Sequence, residues 1–313
     1  MALHDYLATE VGEDWADGIL TRREALRRLT LLGLSAGAAI ALLQACAPTV
    51  GPAGPAAIDA TASNGRPGSA APSAFAAGSD GPGASAAGPA DGEAITFPGS
   101  TVELQGFLAS ANTPRGAMLV IHENRGLNDH IRSVAARLAG DGYSALAVDL
   151  LSEEGGSETL AQGDVQAALS QASTERLVGD MKAGLDELER RVPGAMLGVV
   201  GFCFGGGMVW ALLDAGDPRL AGAIPFYGPA PAAPDFSGNR AAVLGVYAEQ
   251  DARVNASRPT AEAALIAAGL EHEIKVYPGV DHAFFNDTGP RYNAEQAAAA
   301  YADVLDWLGR FLG

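Results

Sequence analysis

A cysteine between glycines is the clearest chemical signal in this chain. The stretch "GFCFGGG" at 201–207 places Cys203 in a G-x-C-x-G pattern, after the apolar run "MLGVV" and before the apolar segment "FGGGMVWALLDA". Small neighbours permit a strained, very tight turn, and the free N–H groups of a following helix favour a thiolate and a developing oxyanion. A buried packing cysteine is the alternative. The flanking glycines favour a thiol nucleophile.

A cysteine nucleophile needs a base, and the base needs a group that orients it. Two stretches downstream of Cys203 supply candidates, "LGVYAEQDARV" with Asp251 and "VYPGVDHAFFND" with His282. Each follows an apolar run typical of a strand. Glu249 and Asp281 are alternatives for the acid, with Glu249 the second choice because Asp281 directly precedes His282. The order nucleophile, acid, histidine is the order of α/β-hydrolases.

The elements that position these residues alternate between apolar runs and amphipathic segments. The runs that predict buried strands are "AMLVIH", "SALAVDL", "AMLGVVG", "LAGAIPFYG", "AAVLGVYAE" and "EIKVYP". Helical spacing occurs between them, in "HIRSVAARLAG", in a long amphipathic region at 160–192, at 258–269 and at 293–312. This alternation predicts an α/β fold with a mostly parallel sheet covered by helices on both faces.

From about residue 95 to the end, the chain resembles the dienelactone hydrolase (carboxymethylenebutenolidase) family. The motifs that carry the resemblance are "HENRGLNDHI", "GFCFGGG", "YAEQDARV" and "YPGVDHAFFNDTGPRY". The resemblance implies an α/β-hydrolase fold and a hydrolase that cleaves a carboxylic ester or lactone. It also implies a triad of Cys203, Asp251 and His282, with no metal and no organic cofactor.

A further loop of the family, E-x-x-G-x-N, is matched by Glu123, Gly126 and Asn128. The resemblance implies that Glu123 contacts the resting thiol and helps to deprotonate it when substrate arrives. It implies that the backbone N–H groups of Asn124 and Phe204 form the oxyanion hole. Glu123 also follows a predicted strand, at the sheet edge where ligands bind in open α/β folds. An ordinary surface glutamate is the alternative.

One position departs from the family pattern. Enzymes that act on dienelactone hold the substrate carboxylate with arginines, one of them four residues after the catalytic histidine. This chain has Asn286 there. Arg125 and Arg291 are candidate substitutes for substrate binding, and an ordinary surface charge or structural ion pair is the alternative for each.

The N-terminal region predicts an export signal with the bounds 1–46. Arg22 and Arg23 begin a basic stretch that is followed by an uncharged, Gly- and Ala-rich apolar run. A basic region before a short apolar region is typical of export signals. The stretch "TRREALR" resembles the twin-arginine motif, which exports folded proteins. Ala25 stands where that motif usually has an aromatic residue.

The apolar run ends in "LQAC", which resembles the lipobox of bacterial lipoproteins, with Cys46 as the residue that receives lipid. An uncleaved membrane anchor is the alternative. Both predict a protein outside the cytoplasm, tethered to the outer side of a bacterial membrane in the periplasm or at the cell surface.

A segment at 47–93 separates this signal from the predicted hydrolase domain at 94–313. It consists almost entirely of Ala, Gly, Pro, Ser and Asp, and Phe75 is its one aromatic residue. Such a composition buries too little apolar area to offset the entropy of ordering, which predicts a disordered linker. We therefore expect residues 1–93 to contribute almost nothing to folding.

The net charge indicates which classes of binding partner are disfavoured. A formal net charge of −17 argues against nucleic acid and against an anionic lipid surface as the main partner. A small-molecule ester or lactone is the predicted substrate. Two functions from other classes remain as alternatives. One is a catalytically silent, membrane-tethered binding protein on the same fold, and the other is a thiol-based redox sensor without a resolving cysteine beside it.

Overall fold

An eight-stranded sheet forms the centre of the molecule in the computed structural model, which describes residues 3–46 and 91–313. The strand order is β1-β2-β4-β3-β5-β6-β7-β8. β1 and β2 are antiparallel to their neighbours, and all remaining pairs are parallel. The strands are β1 (Glu93–Pro98), β2 (Glu103–Ala109), β3 (Gly116–Ile121), β4 (Tyr143–Val148), β5 (Leu197–Phe202), β6 (Leu220–Phe226), β7 (Ala242–Ala248) and β8 (His272–Tyr277).

Helices surround this sheet, as an α/β-hydrolase fold requires. They are α1 (Leu3–Ala16), α2 (Arg22–Leu31), α3 (Ala36–Ala45), α4 (Asp129–Gly140), α5 (Gln162–Gln171), α6 (Thr174–Arg191), α7 (Phe204–Asp214), α8 (Ala252–Asn255), α9 (Arg258–Ala268) and α10 (Ala294–Phe311). The mostly parallel α/β architecture predicted from the sequence is confirmed. The long amphipathic region at 160–192 is two helices, because the backbone is extended at Ala172, which ends α5, and the Ser173 side chain caps the N-terminus of α6.

The central strands are buried along their whole length, because helices cover both faces. Every residue of β3, β4, β5 and β7 is buried. These strands accordingly have continuous apolar sequences instead of the alternation of a one-sided sheet. The carboxyl ends of β3, β5, β7 and β8 meet at one edge of the sheet, and the loops that follow them carry the predicted site residues.

The three N-terminal helices pack against the hydrolase domain. Leu7, Val11 and Leu29 are fully buried and belong to the same apolar cluster as the sheet residues. α1 and α2 both contact α5. The leucine and valine faces of these helices are part of the apolar core, which argues against the expectation that residues 1–93 contribute almost nothing to folding. Most of the predicted linker, 47–90, lies outside the described residues.

None of the described helices is both long enough and apolar enough to span a bilayer. The apolar run of the N-terminal region forms α3, in which Ala39 and Leu43 are buried against the protein. Cys46 caps this helix, and its Sγ lies so close to Gly12 of α1 that a Cβ there would approach within 2.7 Å. Cys46 and Cys203 are both free thiols.

Candidate active site

Cys203 lies in the tight turn between β5 and α7, and its backbone is strained. Its φ is 56° and its ψ is −117°, a conformation that L-residues rarely adopt. The glycines make this turn possible by allowing close backbone contact. A Cβ on Gly201 would lie 2.2 Å from the Gly205 carbonyl oxygen, and one on Gly205 would lie 2.4 Å from the Ile121 carbonyl oxygen. The turn therefore projects the sulfur above the start of a helix.

The structure brings His282 and Asp251 together beside this turn. The Nδ1 of His282 lies 2.6 Å from Oδ2 of Asp251, and both side chains are buried. The other Asp251 oxygen accepts a hydrogen bond of 3.0 Å from the backbone N–H of Val254, which fixes the carboxylate. One ring nitrogen of His282 lies within 4.8 Å of the Cys203 sulfur. The three groups have the relative placement of a nucleophile, a base and an orienting acid.

The two alternative acids have other partners. Glu249 accepts a hydrogen bond of 2.8 Å from the backbone N–H of Gly279. Asp281 accepts one of 2.7 Å from the backbone N–H of His282, at the main chain and not at the ring. Asp251 is thus the carboxylate that contacts the imidazole.

The two backbone groups predicted for the oxyanion hole come from adjacent strands. Phe204 is the first residue of α7, and Asn124 lies just past the end of β3. In the described ranges neither of these N–H groups donates to a backbone carbonyl outside regular elements or to a side chain. Both donors are therefore available to an oxygen atom at the carboxyl edge of the sheet.

Glu123 is buried at the same edge, with one paired and one unpaired oxygen. Its Oε2 accepts a hydrogen bond of 2.6 Å from Nδ2 of Asn286, and its Oε1 has no partner among the described residues. The hydrogen bonds of the thiol run to α1 and not to Glu123. The resting contact that the resemblance implies is thus made by another element.

Arg125 and Arg291 border the cavity that lies against the thiol. This cavity has a volume of about 30 Å³, the space of about one to two water molecules. Arg291 is already paired, through Nε to Oδ2 of Asp17 at 2.7 Å and through Nη2 to Oδ1 of Asp14 at 3.5 Å. The charge of Arg291 is therefore directed at the carboxylates of Asp14 in α1 and of Asp17 just past its end.

Two residues that the sequence analysis did not single out contact the Cys203 sulfur. The hydroxyl of Tyr6 lies 3.1 Å from the Cys203 sulfur, and Oε2 of Glu10 lies 3.7 Å from it. Oε1 of Glu10 lies 3.5 Å from Nε2 of His282. Within the part of the chain that the structure describes, Glu10, Cys203 and His282 are the group whose atoms are close enough to hold a metal ion.

These contacts have a weak sequence signal. Tyr6, Glu10 and Asp14 recur at intervals of four, which places them on one face of a helix. Arg253, which binds Glu10 and Glu13, lies inside the "YAEQDARV" motif beside Asp251. A single sequence does not show that α1 and the loop of Arg253, which are far apart in the chain, contact each other.

Two factors shift the pKa values in the site, the burial of its side chains and the charge of Glu10. Burial raises the pKa of the Cys203 thiol, and Glu10 raises it further against the pull of His282. Burial opposes protonation of His282, but Glu10, the adjoining sulfur and Asp251 together raise the pKa of His282 well above its ordinary value. Burial raises the pKa of Asp251, but the charge and hydrogen bond of His282, together with Arg253 and the Val254 N–H, lower that pKa below its ordinary value, so the carboxyl stays ionised. The site rests as a neutral thiol beside an imidazolium held between two carboxylates.

The family model of the dienelactone hydrolase family matches residues 104–312. The chain belongs to the dienelactone hydrolase family. It is 30% identical over 254 residues to a protein of Saccharolobus solfataricus named "Putative carboxymethylenebutenolidase", an alignment that covers 69% of this chain and 97% of that one. A protein of the same name from Escherichia coli is 32% identical over 219 residues, covering 64% of this chain and 79% of its own length.

A solved structure agrees with this assignment to the dienelactone hydrolases. The crystal structure titled as a putative dienelactone hydrolase from Klebsiella pneumoniae superimposes with a TM-score of 0.62 at 26% identity. It covers 70% of this chain and 98% of its own. The protein is accordingly a hydrolytic enzyme with an α/β-hydrolase fold. The matched residues lie within 104–312, so the helices α1–α3 are outside them.

Proposed function

We propose that this dienelactone hydrolase family member cleaves a carboxylic ester or lactone by covalent catalysis at Cys203. The observation that carries the proposal is the hydrogen bond of 2.6 Å between His282 and Asp251 beside a cysteine in a strained strand-to-helix turn. A buried structural cysteine needs neither the strain nor an oriented histidine.

The first half of the reaction forms a thioester. The Cys203 thiol gives its proton to neutral His282, with Glu123 assisting. The sulfur attacks the carbonyl carbon, a C–S bond forms, and the carbonyl electron pair moves to the oxygen. The backbone N–H groups of Phe204 and Asn124 stabilise that oxyanion. When the carbonyl reforms, the C–O bond to the alcohol breaks and the leaving alkoxide takes a proton from His282. For a lactone, the alkoxide remains part of the same molecule.

Water completes the reaction. Neutral His282, oriented by Asp251, takes a proton from a water molecule that attacks the thioester carbonyl. Collapse of the second oxyanion breaks the C–S bond, and the sulfur regains its proton. The product is a carboxylic acid, or a hydroxy acid from a lactone. Glu123, with its unpaired buried oxygen at the same edge, assists the first deprotonation of the thiol.

Arg125 and Arg291 are proposed to bind the polar end of the substrate. Both border the cavity at the thiol, and Arg291 already binds carboxylates in this structure. Asn286, at the position of a family arginine, donates a hydrogen bond to Glu123. A substrate carboxylate would therefore be held by different arginines from those implied for dienelactone itself.

Turnover of small aryl esters and lactones tests the proposal. Cys203→Ala should abolish release of the alcohol, whereas Cys46→Ala, a matched loss of the other thiol, should leave it intact. Mass spectrometry after rapid quenching should show an acyl adduct on Cys203. Measurable and equal turnover by Cys203→Ala and wild type would overturn the mechanism. No turnover by any variant, including Tyr6→Ala/Glu10→Ala, which removes the two side chains that contact the thiol, would favour a silent binding protein.

We also propose that Cys46 receives lipid after export, as the "LQAC" sequence suggests. The mature protein in cells should partition with membranes and carry the added lipid mass at a new N-terminus. Cys46→Ser should remove that mass. An unmodified Cys46 in mature, exported protein would contradict this proposal without affecting the proposed chemistry.

A further inference from the structure

Helix α1 directs two buried polar side chains at the nucleophile. Tyr6 and Glu10 are one helical turn apart and are 2% and 3% exposed. The Tyr6 hydroxyl contacts the Cys203 sulfur at 3.1 Å, and the Glu10 carboxylate contacts it at 3.7 Å. Burying a carboxylate is costly unless it is paired. Glu10 is paired with Arg253, and its two oxygens also contact Cys203 and His282.

The Glu10 carboxylate lies where hydrolysis leaves its product. One oxygen is 3.7 Å from the Cys203 sulfur, and the other is 3.5 Å from Nε2 of His282. A carboxylate between nucleophile and base is the arrangement of the acid that forms when the thioester is hydrolysed. Glu10 therefore resembles a bound product supplied by the protein's own chain.

This carboxylate also acts on the protonation of the site. By pairing with His282 it raises the pKa of the imidazole, so the ring already carries the proton that it would have to accept. It raises the pKa of the buried thiol as well. A protonated base and a protonated nucleophile cannot begin the attack.

Two arginines fasten α1 over the site. Arg253 binds Glu10 and Glu13, and its guanidinium lies 4.5 Å from the centre of the Tyr6 ring. Arg291 binds Asp14 and Asp17 farther along the chain. These contacts extend from Tyr6 to Asp17, just past the end of α1, so the helix is held along most of its length and not by a single residue.

The cavity at Cys203 is too small for a substrate while α1 is in place. The cavity at Cys203 measures about 30 Å³, whereas pockets for small molecules measure roughly 300–1,000 Å³. A cleft of about 730 Å³ lies between α6, α7 and the loop after β6, lined by Phe204, Met208 and Tyr6. Tyr6 contacts the sulfur from this side. Withdrawal of α1 would open the cleft towards Cys203.

We propose that α1 is an intramolecular inhibitor that occupies the active site as a product mimic and keeps the hydrolase latent until it is displaced or removed. The inhibition rests on the proposed function, since it blocks that reaction. The ligand that the Cys203 site would bind is therefore an acidic helical peptide that carries a tyrosine. A cut between Ala45 and Cys46, as the lipobox resemblance predicts, would remove the whole segment.

The test uses the full chain and two readouts. Glu10→Ala and the double variant Tyr6→Ala/Glu10→Ala are compared with Asp5→Ala, a matched loss of a carboxylate on the exposed side of the same helix. The first readout is the rate at which iodoacetamide alkylates Cys203, followed by mass spectrometry at that residue. The second is kcat/KM for an aryl ester.

We expect alkylation of Cys203 and ester turnover to rise about tenfold or more in Glu10→Ala, further in the double variant, and hardly at all in Asp5→Ala. Asp17→Ala, which weakens the attachment through Arg291 without touching the thiol, should give a smaller rise. It also serves as the second variant if the double variant does not fold, as judged by circular dichroism.

The outcomes separate this inference from the proposed function. Unchanged alkylation and turnover in folded Glu10→Ala and Asp17→Ala would overturn the inhibition. Faster alkylation without ester turnover in any variant would support the shielding by α1 and count against the esterase chemistry. Lower turnover together with slower alkylation in Glu10→Ala would show that Glu10 assists the reaction, and this too would overturn the inference.

Discussion

The side chain of Asn286 donates a hydrogen bond of 2.6 Å to the carboxylate of Glu123. One Glu123 oxygen is thereby fixed, and the other stays buried without a partner among the described residues. Since buried polar atoms are nearly always paired in folded proteins, this unpaired carboxylate oxygen beside Cys203 needs an explanation, and the proposed role in deprotonating the thiol supplies one.

Glu123→Gln should affect the thiol and the turnover in opposite directions. Glu123 contributes to the raised pKa of Cys203, after burial and Glu10, so its neutralisation should speed alkylation at neutral pH. Turnover should fall about 100-fold, as is typical when a general base is lost. Glu262→Gln, on the exposed face of α9, is the control. Unchanged alkylation and turnover would reduce the mechanism to Cys203, His282 and Asp251.

Asp251→Asn should lower kcat by about 10²- to 10⁴-fold, because an amide no longer selects the ring tautomer or stabilises the imidazolium. Glu249→Gln is the matched change at the alternative acid, which binds the Gly279 backbone, and it should lower kcat only slightly. Steady-state kinetics on one aryl ester compare the two. A larger loss for Glu249→Gln would reassign the acid.

Gly205→Ala should destabilise the turn that holds the nucleophile. The added Cβ would lie 2.4 Å from the Ile121 carbonyl oxygen and 2.6 Å from that of His122, both on the backbone of the neighbouring strand end. We expect a loss of about 2 kcal/mol or more in the free energy of unfolding. Gly140→Ala, at the end of α4 with open space around it, should be neutral or stabilising. Equal denaturation midpoints would contradict this.

The stability of the docked N-terminal helix should depend on pH through Asp14. Burial, and then the charge of Glu10, raises the pKa of Asp14 to about 6, despite the opposing charges of Arg291, Arg125 and His282. The folded protein therefore holds a proton on Asp14 that the unfolded chain has released. This contribution stabilises the fold at low pH and is lost as the pH rises through about 6.

Asp14→Asn should remove the decrease in unfolding free energy that wild type shows as the pH rises. Relative to wild type, the variant should gain roughly 2–3 kcal/mol in unfolding free energy between pH 4 and pH 7. Denaturant unfolding at both pH values measures it, with Asp5→Asn as the solvent-exposed control. A pH-independent difference between Asp14→Asn and wild type would show that Asp14 is not protonated in the docked helix.

The sequence predicted the sheet and the placement of the triad because both depend on local signals. Apolar runs of strand length mark β3 to β8, and the candidate catalytic residues Cys203, Asp251 and His282 follow the ends of β5, β7 and β8. In a parallel sheet those ends share one edge, so chain order becomes spatial proximity. Asp251 could be preferred over Asp281 on geometry alone, because adjacent residues rarely direct their side chains at each other.

The role of α1 could not be predicted in the same way. Tyr6 and Glu10 are close to Cys203 only after the helix docks across the finished sheet edge. The pairing of Glu10 with Arg253 is one of many combinations that an acidic chain allows. The basic and apolar pattern of this region predicted an export signal, and such a prediction does not say where the segment packs.

Helix α1 belongs to the same chain as the active site that it covers. The fraction of active sites occupied by α1 therefore does not depend on the protein concentration. A tethered segment meets its site at an effective concentration on the order of millimolar, whatever the number of molecules in solution. Dilution therefore leaves an intact chain closed. After a cut between Ala45 and Cys46, the same helix becomes a separate peptide whose occupancy falls as it is diluted. One peptide bond would then decide whether the closed state is permanent or transient.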